Sequence, residues 1–189
     1  VTDEILDFCR QHKILISTSL DGPASIHNTN RPRPGNDSHE LTVRGIERAR
    51  SILGYDQVSA LMTTTKLTLD HPEEVVDEYV RLGFDHVVLR PLSPYGFAVK
   101  TKLKTGYDTD AYLRFYERTL AYVIEMNRGG RFFVEGFSQL LLTKILTPFA
   151  TGYVDLQSPA GAGISAAVYN YDGDVYVSDE ARMLAEMGD

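Results

Sequence analysis

Cys9 is the only cysteine in this chain. A single thiol excludes internal disulfides and fits a reducing, cytoplasmic compartment. No run approaches the roughly 18 consecutive apolar residues of a membrane-spanning helix, so no membrane partner is expected. Basic charge is also short. The 19 Lys and Arg stand against 26 Asp and Glu, giving a net charge of −7 and a pI near 5.2. Without a basic face the chain is not expected to bind nucleic acid. Its first residues, VTDEILDFCRQHK, form an acidic amphipathic run without the basic start and apolar centre of a signal peptide. Internal repeats and low-complexity tracts are absent.

What remains is an α/β alternation. Residues 2–12 read as a helix with Thr2 as cap and Ile5, Leu6, Phe8 and Cys9 turned inward. A strand over 14–20 follows, then a loop over 21–37 rich in Pro, Asn and Gly, long enough to suggest function. Helix 38–53 starts at Ser38, strand 58–65 follows Gly54, and Pro72 opens helix 71–82. Strand 86–92 ends at prolines, and residues 93–107 make a second loop with Gly96, Lys100, Lys102 and Lys104. Three strands alternating with helices predict βαβ units and a parallel sheet curling towards half a barrel. Further on come a long aromatic helix over 108–128, a short strand RFFV, a helix FSQLLLTKIL, and a hairpin about Asp172-Gly173. Asp-Gly between alternating residues predicts a type I′ turn. A last helix covers about 179–187. Both ends look cut, which suggests a piece of a longer protein.

The stretch ILISTSLDGPASIHNTNR, Ile14 to Arg31, organises the rest. Its strand breaks at Asp21-Gly22-Pro23, where Gly permits positive φ and Pro cannot continue a central strand. Ser19 and Asp21 then stand at the C-terminal end of the strand, where barrels of βα units build their chemistry. Arg31 is able to return over that end as a fork for a carboxylate or phosphate. Arg31 has alternatives: to cap a helix, or to pair with Asp21 or Asp37. Asp21 is as well suited to holding its own turn.

A strand ending Ser19-Leu20-Asp21-Gly22-Pro23, with Ile26-His27 and then Arg31, resembles the fourth strand and loop of radical S-adenosylmethionine (SAM) enzymes. The branch it is similar to carries a C-terminal region of the SPASM type, as in anaerobic sulfatase maturases and peptide maturases. The resemblance implies that strands 14–20, 58–65 and 86–92 are strands four to six of a partial, TIM-like (β/α)6 barrel. Residues 1–130 would be the second half of that barrel, and 131–189 a SPASM-like extension of hairpin and helix. It also implies a [4Fe–4S] cluster and SAM as cofactors, an electron donor such as flavodoxin or ferredoxin, and a peptide or protein substrate. The activity implied is a radical SAM oxidoreductase or maturase. Ser19 and Arg31 match the positions that meet the ribose and carboxylate of SAM, and Leu92 the position under the adenine. Ser17 and Thr65 join them as cofactor-side candidates. Asp179 matches a proton acceptor beside the substrate, although an Asp opening a helix also suits the dipole.

The departures from the pattern matter as much. The C-x3-C-x2-C cluster loop and the Gly-Gly-Glu motif are missing, and one thiolate cannot hold a cluster that takes three or four. The chain by itself is therefore expected to be inactive. In the tail, Ala160 and Ser178 occupy the expected Cys positions, so the usual auxiliary cluster cannot form there. The setting SPAGAGI…YNYDG…SDEARML is most similar to a maturase of the His-Xaa-Ser repeat peptide system. Two readings of other classes compete: a peptide-binding scaffold using strand addition, and a barrel hydrolase. Asp21, Asp108, Glu135 and Asp179 are too scattered to name an acid–base pair for the latter.

Overall fold

A computed structural model describes residues 1–93 and 103–188. Gly96, Lys100 and Lys102 of the second loop lie outside the described residues. The chain divides into two compact units, Val1–Phe137 and Ser138–Asp189.

The first unit runs α1 (Asp3–Gln11), β1 (Ile16–Ser19), α2 (Ala24–Asn30), α3 (Ser38–Leu53), β2 (Val58–Thr63), α4 (Pro72–Arg81), β3 (His86–Val87), β4 (Leu89–Arg90), α5 (Thr109–Arg128) and β5 (Val134–Glu135). β1, β2 and β4 form a parallel sheet in that order, with Ile16 opposite Val58 and Thr63 opposite Arg90. Alternation decides the faces. Val58, Ala60 and Met62 are buried in one core with Ile46 and Ala49 of α3 and Val75, Val76 and Tyr79 of α4. On the opposite face stand Ser17, Ser19, Ser59, Leu61, Thr63 and Arg90, all half-buried or exposed. The half-barrel expectation holds as an open parallel α/β sheet.

Three details differ from the sequence reading. Helix α1 buries Leu6 and Cys9, while Ile5 and Phe8 are exposed; β1 starts only at Ile16, because Lys13 turns the chain at φ 55° and leaves Ile14 and Leu15 in solvent. The loop over 21–37 contains a helix, α2. Ser, Asn and Thr are poor helix formers, but Pro23 at φ −62° launches the turn. This helix caps the next one. Asn28 Oδ1 accepts from His39 N and Ser38 Oγ, each at 2.8 Å, so Ser38 is not the cap of α3.

The third difference is that strand 86–92 breaks at Val88. β3 pairs in parallel with β5, while β4 pairs with β2. Arg90 N donates to Val88 O at 3.0 Å, which tightens the chain locally and orphans the amide and carbonyl of Leu89. Side chains satisfy both: Leu89 N donates to Glu135 Oε1 at 3.2 Å, and Tyr112 Oη donates to Leu89 O at 2.7 Å. Glu135 is buried and also accepts from Phe137 N and Tyr116 Oη.

The second unit holds α6 (Gly136–Leu146, which begins in the first), the hairpin β6 (Val168–Tyr169) with β7 (Val175–Tyr176), and α7 (Asp179–Met187). Gly173 N donates to Asn170 O, and Gly173 alone in this turn has positive φ, 95°. A type I′ turn needs two such residues, so the turn is the longer hairpin connection with glycine at its left-handed position. Among the described residues no helix is long and apolar enough to cross a membrane.

Glu135→Leu strands the buried Leu89 amide and takes from Tyr116 Oη its carboxylate acceptor. Chemical denaturation is expected to show roughly 2–4 kcal/mol lost. A loss under about 0.5 kcal/mol would mean that the break at Val88 does not depend on this carboxylate.

Candidate functional site

The C-terminal ends of β1 and β2 meet at one carboxylate, that of Asp21. Leu20 N continues the ladder to Leu61 O at 2.9 Å, which sets Asp21 just beyond the sheet. Gly22 turns the chain at φ 122°. A Cβ there would stand 3.1 Å from Val75 Cγ2, so the turn needs glycine for conformation and for space. The Asp21 side chain is 2% exposed and takes Arg31 in a bidentate pair, Nε to Oδ2 at 2.8 Å and Nη2 to Oδ1 at 3.1 Å. Oδ1 also accepts from Thr63 N at 3.1 Å, tying the loop to the end of β2. Of the roles open to Arg31, pairing with Asp21 is realised. The Arg31 side chain remains 39% exposed, and its Nη1 has no partner among the described residues.

A second layer holds this turn from behind. Asp21 N donates to His27 Nδ1 at 3.1 Å. With Nδ1 accepting, the ring proton belongs on Nε2, which faces Thr42 Oγ1 at 3.4 Å. Burial lowers the pKa of His27, and the neighbouring Asp21 carboxylate only partly opposes this. The Tyr79 hydroxyl donates to Leu20 O at 2.8 Å, and burial pushes its pKa well up, so it stays a donor. Beside His27, the buried Glu78 meets His39 Nε2 and Arg81 Nη2, each at 2.6 Å. Burial acts to raise the Glu78 carboxyl, but the hydrogen bonds from Arg81 and His39 outweigh it and hold it below its ordinary value.

The other candidates fall into three groups. Ser17 and Ser19 share the open face of β1, Ser17 exposed and Ser19 half-buried, with no hydroxyl partner among the described residues. Thr65 is buried, and its hydroxyl is already engaged: Oγ1 donates to Asn30 Oδ1 at 3.0 Å and lies 3.1 Å from Thr68 Oγ1. Leu92 is half-buried at the end of β4, its amide donating to Tyr107 Oη at 2.7 Å. Asp179 belongs to the second unit. It is the first residue of α7, exposed and 3.7 Å from Arg182, and the cap itself is Ser178, whose Oγ accepts from Ala181 N at 3.2 Å. Among the described residues no group of His, Cys, Asp and Glu could hold a metal ion.

Comparison with solved structures decides the architecture. Native anSMEcpe with bound AdoMet and Kp18Cys peptide superposes at a TM-score of 0.62 with 23% identity, over 77% of this chain and 40% of that one. The same enzyme with AdoMet and Cp18Cys peptide gives 0.61 with 23% identity, over 77% and 41%. The fold is that of anSMEcpe, a mixed α/β fold of parallel strands and helices. The match is to part of that fold, without a closed barrel. No family model matches the chain. The uncharacterized protein sll1766 of Synechocystis sp. is 37% identical over 113 residues, 59% of this chain and 28% of its own length. The chain thus spans about two fifths of the similar structures and under a third of that curated relative.

Sequence reasoning weighed a pair of Asp21 and Arg31 but missed Thr63, whose amide holds Asp21, and Asn28 and Asn30, which tie α2 to α3 and to Thr65. The asparagines sit in a helix without apolar periodicity, and Thr63 acts through its backbone amide, which no side-chain pattern announces.

His27 carries a pH prediction. Its folded pKa lies below the unfolded 6.5, so its neutral form supports the fold fully above about that value. That support is lost as pH falls through the lowered folded value. Denaturation midpoints should drop between pH 7 and about 5, and the drop should flatten in His27→Gln, whose amide oxygen is able to accept from Asp21 N. An equal slope in both proteins would assign the pH dependence to other groups.

Proposed function

We propose that this chain is part of a radical SAM maturase, an enzyme that modifies a side chain of a peptide or protein. The observation that carries the reading is Arg31 at the C-terminal end of β1. Its Nε edge is clamped by the buried Asp21, and its Nη1 edge remains open. A guanidinium pinned on one edge presents a fixed pair of donors on the other, which suits the carboxylate of an amino acid such as SAM. The unpartnered hydroxyls of Ser19 and Ser17 on the same sheet face suit a ribose or an amino-acid head group. Leu92, held by Tyr107, offers the apolar surface for an adenine. Thr65 then acts through Asn30, as support for the loop that carries Arg31. The likeness to structures with AdoMet and a peptide bound supports the same reading.

When bound, SAM and a [4Fe–4S] cluster supply radical chemistry. The cluster ligands are not in this chain, whose one thiol is Cys9, buried in α1. A flavodoxin or ferredoxin is the electron donor this reading implies. The chain's own residues fix and orient the methionine end and the adenine of SAM. Asp179, exposed at the start of α7, accepts a proton from the substrate in this proposal. A maturase of the His-Xaa-Ser system is the subfamily that the loss of cysteine at Ala160 and Ser178 favours.

In the full-length, cluster-loaded protein, Arg31→Ala is expected to weaken SAM binding by about 1.5–3 kcal/mol and Ser19→Ala by about 0.5–1.5 kcal/mol, read by calorimetry. Unchanged affinity in the Arg31 variant would remove that residue from the site. Asp179→Asn should still cleave SAM to 5′-deoxyadenosine while modifying little peptide, since Ser178 and not Asp179 supplies the cap. Loss of SAM cleavage, or full retention of both activities, would each end the proton-acceptor role.

A further inference from the structure

The hairpin of the second unit has one covered edge and one open edge. In an antiparallel pair, successive residues direct their backbone groups alternately inward and outward. Asn170 N donates to Asp174 O at 2.9 Å, so Asn170 and Val168 face β7, and Ala167 and Tyr169 face away. The far edge of β7 is occupied: Gly163 N donates to Val177 O at 3.1 Å and to Ala166 O at 3.0 Å. Glycine is required there, since at φ 73° a Cβ would stand 3.2 Å from Val177 Cγ1. On the β6 side no described residue bonds the outward N–H or C=O of Ala167 or Tyr169.

The face beside that edge is apolar and uncovered. Tyr169 stands opposite Val175, and the two are 81% and 56% exposed; Val177, on the same face, is 53% exposed. Natural proteins protect free edges with charge, bulges or a covering segment, and a free edge next to exposed apolar side chains invites a further strand. Charge selects which strand. From Ser138 to Asp189 the sequence holds seven Asp and Glu against two basic residues, Lys144 and Arg182. Two copies of this unit repel each other, and a basic segment is attracted.

We propose that the β6 edge binds an extended, basic peptide segment by strand addition, through the outward backbone groups of Ala167 and Tyr169. Alternate side chains of the peptide lie on Tyr169, Val175 and Val177, and its lysines or arginines meet the acidic field of the unit. This deepens the maturase reading by naming where its peptide docks and of what chemistry.

The test is hydrogen–deuterium exchange on the full-length protein, with a blocked peptide of about twelve alternating lysines and valines as probe and its glutamate–valine counterpart as control. The lysine peptide should slow exchange of the Ala167 and Tyr169 amides about tenfold, and about 0.5 M salt should erase most of that effect. The glutamate peptide should do nothing. Ala167→Pro removes an outward donor without touching the ladder to β7, and should abolish the protection. Tyr169→Lys, which adds a repelling charge and leaves the backbone edge intact, should weaken it at least severalfold. Several results would overturn the proposal: protection by both peptides or by neither, protection in the peptide-free protein at every concentration, which assigns the edge to another segment of the same chain, or protection that grows with protein concentration, which assigns it to a second copy. SAM affinity is measured alongside. If the parent binds no SAM, the maturase reading fails while the edge is still judged by exchange.

Discussion

A carboxylate removed from water must be paired and hydrogen-bonded or lose its charge. Asp21 is removed almost completely, and it is met by the two donors of Arg31 and by the Thr63 amide. These bonds decide the local geometry. The Thr63 bond fastens the loop after β1 to the end of β2. The Arg31 pair draws the far end of α2 back over the turn that began it. The His27 ring, accepting from the Asp21 amide, closes the same circuit through the middle of α2. A loop of polar residues thereby becomes a short helix with fixed ends, and its Asn28 caps α3. Removing the carboxylate would leave a half-exposed arginine without its anchor and a turn without its tie to the sheet.

The same principle governs β4. When a strand changes partners, the residue at the change loses its ladder bonds, and buried amides without partners are costly. Glu135 and Tyr112 take the places of a neighbouring strand at Leu89, and Tyr107 does so at Leu92. Tyr112 of α5 and Tyr107 just before it thus act as donor and acceptor at their tips while their rings pack. The Tyr107 and Tyr112 rings stack with centroids 6.0 Å apart. Both ends of the open sheet face, Asp21 on one strand and Leu92 on another, are set by side chains from elements outside the sheet.

That division explains what was legible in the sequence. Apolar periodicity located α3, α4 and α5, and the Asp-Gly-Pro break located the C-terminal end of β1, because those signals are local. Pro72 at the start of α4 was local too. Helix α2 was not legible: its sequence ASIHNTN has low propensity, and it stands because Asn28, His27 and Arg31 each find partners in other elements. Nor was the break at Val88. Residues 86–92 read as one apolar strand, and it takes Glu135, more than forty positions away, together with Tyr112 to make the interruption stable. Ile5 and Phe8 were expected inward on hydrophobicity alone, but they are exposed, as are Ile14 and Leu15 before β1.

The second unit poses the opposite problem. No residue described in it is fully buried. Ordering each backbone residue costs on the order of 1–2 kcal/mol, and an exposed hydrogen bond returns at most about 1 kcal/mol. Among the described residues its bonds are mostly local, such as the two from Gly163 N, the turn at Asn170 and the Ser178 cap. An isolated hairpin is marginal even with a good turn. The Ser178 cap of α7 adds about 1 kcal/mol, a small contribution. Burial of Tyr169, Val175 and Val177 under another surface is the remaining source of stability that the geometry offers. The hairpin's cohesion and its capacity to bind are therefore one property, since whatever covers its apolar face also completes its fold.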